Sequence, residues 1–208
     1  MALNIIAFFL VWLIVYGLIA MWRQSPKQIK FIQNYTFHPG IKVQLVKRHP
    51  GLTEVQIEQV FQGLRSYFEI CRKANGIMIA MPSRIVDEAW HEFILYTREY
   101  NKFCQRAFNH FLHHNPSDVM SSTKPVQFGI KLAWKLSCEQ AGIDHKKATS
   151  LPLLFAIDTL LEIPDGFKYS LDCSSNNSSY CVSDFECGGN GGCSGGGGCG
   201  GCGGCGGC

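Results

Sequence analysis

The hydrophobic pattern changes character twice along the chain. Residues 2–22 form an unbroken apolar run in which Asn4 is the only strongly polar residue. At 1.5 Å per residue, about 20 such residues cover the ~30 Å hydrocarbon core, so the run predicts one transmembrane helix. A cleaved signal peptide fits worse, because no charge precedes the run, it is too long, and Ile19–Trp22 is a poor cleavage site. Residues 23–52 lack a steady period and are punctuated by Pro26, Pro39-Gly40 and Pro50-Gly51, which predicts a connector.

From Thr53 the pattern becomes helical. Thr53 and Gln56 have capping-box spacing, Ile57, Val60, Leu64, Phe68 and Cys71 recur on one face, and Asn75-Gly76 ends the run. Residues 77–81 are a short apolar stretch, either a strand or a buried connector. Ser83 caps the next helix, whose stripe (Val86, Trp90, Phe93, Thr97, Tyr100, Cys104, Phe108, Phe111) predicts one element to about residue 112. Residues 125–142 and a segment opened by Ser150 and Pro152 read as two further helices, and Ile163–Gly166 as a turn. The expected fold is mainly α: a transmembrane helix (1–22), a connector (23–52), a helical domain (53–171) and a Cys/Gly-rich tail (172–208). The tail is too polar and glycine-rich to order itself.

Charge adds an orientation. Arg23, Lys27, Lys30, Lys42, Lys47 and Arg48 all precede the first acidic residue, Glu54, although the whole chain carries only +3. By the positive-inside rule the domain faces the cytoplasm, with anionic lipid of the bilayer as its partner and another protein as a second candidate. No basic face with interleaved aromatics recurs later, so nucleic acid is not an expected partner.

The densest chemistry is Asp87-Glu88-Ala89-Trp90-His91-Glu92, followed by Tyr100, Cys104, His110, His113 and His114. Asp87 and His91 share a helical face, as would His110 and His114, and either pair can ligate a divalent metal or simply hydrogen-bond. On one straight helix His91 and His110 would stand ~28 Å apart and share no ion. Packing and capping are therefore the expected roles, unless the chain turns back between them. Other readings fail on detail. No phosphate-binding Gly-x-x-x-x-Gly-Lys-Ser/Thr loop occurs, and Leu95 stands where a zinc-protease helix needs its second His. No Gly-x-Ser-x-Gly elbow is present.

The Asp87-x-x-Trp90-His91 block, with Tyr100, Cys104 and His113-His114, resembles the block of the glycine-rich domain-containing proteins over about residues 50–170. The run Leu151–Asp158 is similar to that of small bacterial membrane proteins with the same block and a Gly/Cys tail. Plant members carry a second His where this chain has Phe93. The resemblance implies a helical domain and no settled activity.

The tail is a second constellation. Cys199, Cys202, Cys205 and Cys208 form a C-x-x-C ladder, preceded by Cys193 and, further back, Cys173, Cys181 and Cys187. Reduced thiolates at this spacing suit zinc or copper, and a ligand-free flexible extension is the competing reading. Cys71, Cys104 and Cys138 fall on apolar faces and read as buried packing residues. The leading expectation is a module for interaction or metal handling rather than catalysis. The alternative is a metal-dependent enzyme whose site includes Asp87 and His91.

Overall fold

The computed structural model describes Trp12 and residues 26–114, 124–171 and 180–185. Its order is α1 (26–33), α2 (Pro39–Arg48), α3 (Glu54–Ala74), α4 (Arg84–Leu95), α5 (Thr97–Phe108), α6 (Lys124–Ala141) and α7 (Leu153–Leu160). A short parallel pairing of β1 (Tyr169–Ser170) with β2 (Tyr180–Cys181) follows, then a 3-10 turn over Val182–Phe185.

Helix α3 is the hub and packs against α4, α6 and α7. It starts at the Thr53–Gln56 capping box and stops where Asn75 turns left-handed, as the sequence predicts. Gly63 lets α3 come close to α4, since a Cβ there would lie 2.8 Å from Val86 Cγ2. The core is aromatic: Phe68 and Phe93 both pack on Phe103, with ring centroids 4.8 and 5.3 Å away.

The N-terminus of α4 is fixed twice. Ser83 Oγ accepts from Val86 N–H, and the buried Asp158 of α7 accepts from Ser83 Oγ (2.7 Å), Arg84 N–H (2.7 Å), Ile85 N–H (3.2 Å) and Phe167 N–H (2.9 Å). A carboxylate at a helix N-terminus meets both free N–H groups and the positive dipole end. Helix α7 itself begins after Pro152 with no side-chain cap, so Ser150 does not play the capping role expected of it.

Three expectations are corrected. Residues 2–22, apart from Trp12, lie outside the described residues, and among the described residues no helix is long and apolar enough to cross a membrane. The longest described helix, α3, carries Glu54, Glu58, Arg65, Arg72 and Lys73 around a single buried stripe. The transmembrane helix of the expected fold, and the single-pass membrane placement with a cytoplasmic domain that rests on it, therefore find no support in any described helix.

The connector over 23–52 contains α1 and α2, and Ile32, Phe37, Ile41 and Leu45 from it are buried in the core. Pro39-Gly40 starts a helix rather than a turn, because Pro suits the first helical turn and His38 Nδ1 accepts from Gly40 N–H. Its basic residues meet acids of the fold: Lys42 pairs with Glu54, Arg48 with Glu92 and His49 with Glu88. Finally, the single helix expected from 84 to 112 breaks at Tyr96, whose ψ of 59° is not helical.

Candidate metal centre

The break at Tyr96 makes the site. Helix α4 sets Asp87 and His91 one turn apart on one face, and α5 then carries the chain back, so that the segment after Phe108 returns to α4. His114 Nε2–H donates to Asp87 Oδ1 at 2.7 Å, and His91 Nε2 stands 3.7 Å from Asp87 Oδ2. The two imidazoles meet edge to face, with centroids 4.3 Å apart. One donor atom from each of the three side chains lies within 4.8 Å of the other two.

Zinc bonds of ~2.0–2.1 Å in a tetrahedral shell place neighbouring donors ~3.3 Å apart. The separations of 2.7 and 3.7 Å fall on either side of that value. Each imidazole thus approaches a different oxygen of Asp87, with the carboxylate between the two rings. Depth grades across the site: the side chains of His114 and Asp87 are 8% and 13% exposed, whereas that of His91 is 46% exposed. The His91 side is thus open to solvent.

A buried relay holds His114 in place. Trp90, one residue before His91, faces the core and sets its ring against His114, with centroids 4.4 Å apart. Trp90 Nε1–H donates to Tyr100 Oη (3.1 Å), and the Tyr100 hydroxyl donates to the Leu112 carbonyl (2.5 Å), two residues before His114. Burial pushes the Tyr100 phenol well above its ordinary range, so it stays a neutral donor at physiological pH. Burial likewise raises the Cys104 thiol and pushes Cys71 up to about 12, so neither supplies a thiolate near neutrality.

The other carboxylates of α4 are engaged elsewhere. Glu88 is held by His49 (2.8 Å) and Arg84 (3.4 Å), and Glu92 by Arg48. Asp87 is the α4 carboxylate that faces two imidazoles, those of His91 and His114.

Of the residues singled out in the sequence, the structure brings together Asp87, His91 and His114. It does not bring in His110, whose Nδ1–H donates to the Phe108 carbonyl (2.9 Å), nor the exposed His113, which lies against Phe111. The expected His110–His114 helical pair does not form, because α5 ends at Phe108. Phe93 is buried against Phe68 and Phe103, so that position faces the core, away from the site. Cys193, Cys199, Cys202, Cys205 and Cys208 lie outside the described residues. Cys181 is disulfide-bonded, which removes it from the free thiols counted in the tail. The relay through Tyr100 and Leu112 is not visible in the sequence: Tyr100 stands both on the apolar stripe and in the Asp87–His114 cluster, but its hydrogen bonds depend on the reversal at Tyr96.

Residues 27–190, most of the chain, match the UCP032817-like family. The chain belongs to this family. The UCP032817-like region starts inside α1 and contains Asp87, His91 and His114, together with the helices expected to be a connector. The five cysteines from Cys193 to Cys208 follow it. No curated protein and no solved structure matches the chain.

Proposed function

We propose that this helical domain handles a metal, binding one divalent ion through Asp87, His91 and His114. The observation that carries the reading is the convergence of those three donors from α4 and from a segment 23 or more residues later. Two imidazoles and one carboxylate form a borderline set that suits zinc, whereas Cu(I) prefers thiolates or thioethers. Each donor must be deprotonated to bind, so uptake releases protons and weakens as pH falls.

A second reading, a metal-dependent enzyme, has one observation in its favour. Three protein ligands with a solvent-facing fourth side is the arrangement that leaves room for a metal-bound water, whereas structural zinc sites are closed by four protein ligands. Such a water ionises near neutrality and can attack an electrophile.

Metal analysis of the purified full-length protein tests the first reading. Wild type should retain zinc after dialysis, and His114→Gln and Asp87→Asn should each retain about one ion fewer per chain. Equal metal content in wild type and both variants would contradict it.

A further inference from the structure

A second cleft lies on the other side of α3, between α1, α6 and the start of α7, with a volume of about 410 Å³. Its polar wall includes Arg65, Glu69, Ser137 and the glutamines Gln33, Gln62 and Gln140, and its apolar wall comes from Ala141 and Pro152–Leu154. Glu69 is only 3% exposed, and its carboxylate accepts from the side-chain amides of Gln33 and Gln140.

No Lys, Arg or His pairs with Glu69 among the described residues. Arg65, one turn earlier, is taken up by Glu58 and the Tyr35 carbonyl, and Arg72 Nε–H donates to Gln28. Glu69 is thus held by neutral amides, while Arg65 on the same wall is engaged by Glu58. Ser137, 2% exposed on the same wall, has a hydroxyl with no hydrogen-bond partner among the described residues. A buried hydroxyl left unmet is destabilising, so a ligand that meets it is favoured.

We propose that this cleft binds a small primary alkylamine as its ammonium ion. The ammonium would sit against Glu69 and donate its remaining hydrogens to the Ser137 hydroxyl and a glutamine carbonyl, with the alkyl chain along Pro152–Leu154. An ammonium brings a positive charge against Glu69 and three donors on one atom. A hard metal ion fits less well: calcium takes six to eight oxygens, usually including several carboxylates, and this wall has one. The proposal is independent of the centre at Asp87.

Calorimetric titration of the full-length protein with n-butylammonium chloride, and with n-butanol as the neutral isostere, tests it. Butylammonium should bind saturably, one per chain, and butanol should not. Glu69→Gln should weaken binding by about tenfold or more, and Ser137→Ala by about threefold to tenfold without lowering thermal stability. Asp87→Asn should leave the titration unchanged, so loss of the metal reading and loss of this one are told apart. If Glu69→Gln does not fold, Ser137→Ala decides. Absence of saturable butylammonium binding, equal binding of butanol, or affinity unchanged in the folded variants would overturn the proposal.

Discussion

His114 stands in hydrogen-bond contact with Asp87, Nε2 to Oδ1 at 2.7 Å, although 27 residues separate them in the chain. The contact exists because the chain reverses at Tyr96 and because Tyr100 ties Leu112 to Trp90. Helix α4 supplies two of the donors and the folded core supplies the third.

Removing the Tyr100 hydroxyl should therefore loosen His114 more than it loosens the fold. Tyr100→Phe leaves the Trp90 N–H and the Leu112 carbonyl without their shared partner, which should cost about 1–3 kcal/mol in urea denaturation. Zinc affinity should fall by about 10–100-fold, the usual effect of losing a group that orients a ligand. Competition with a chromophoric chelator measures it, and unchanged affinity would show that His114 is positioned by other means.

Asp158 anchors the N-terminal end of α4. In Asp158→Asn one oxygen is replaced by an amide N–H2 facing the donors of Ser83, Arg84, Ile85 or Phe167. Hydrogen bonds to a charged group are worth about 1.5–3 kcal/mol each, so a loss of at least that size is expected. Chemical denaturation checks it. A change below about 0.5 kcal/mol, the range of ordinary surface substitutions, would contradict the capping role.

Much of this architecture was legible in the sequence because it is local. The Thr53 and Ser83 caps and the Asn75 stop are fixed by residues within one turn, and Trp90 lies on an unambiguous stripe. The break at Tyr96 was not legible, because the apolar period runs through it: Phe93, Tyr100 and Cys104 are all buried on either side of the break. Tyr96 is held by a distant partner, the His38 ring stacked 4.2 Å away, and no local residue announces that contact. Helix α2 is hidden in the sequence for a related reason. Pro39-Gly40 has the composition of a turn, and only the core contacts of Ile41 and Leu45 reveal it as a helix start. The candidate site was half visible: Asp87 and His91 form a local pair, while the choice of His114 over His110 and His113 depends on the reversal.

Alkaline pH should expose the buried protons. Burial raises the pKa of Cys71, Cys104, Tyr67 and Tyr100, so the folded protein holds these protons more tightly than the unfolded chain. The resulting stability is fully present below the unfolded thiol value of about 9.0, and is lost as pH rises towards the folded value of about 12 for Cys71. The urea midpoint should fall between about pH 9 and pH 11, and the fall should be shallower in Cys71→Ala. A Cys71→Ala profile as steep as that of wild type would contradict this assignment.

The central claim, one ion held by nitrogen and oxygen donors at Asp87, His91 and His114, is tested most directly by cobalt(II) substitution of the full-length reduced protein. Thiolate ligation gives intense near-ultraviolet charge-transfer absorption, whereas imidazole–carboxylate ligation gives visible ligand-field bands without it, so the spectrum separates this centre from the tail cysteines. The wild-type minus His114→Gln difference spectrum should contain visible bands amounting to about one cobalt per chain and no thiolate band. A flat difference spectrum, or one dominated by thiolate charge transfer, would contradict the claim.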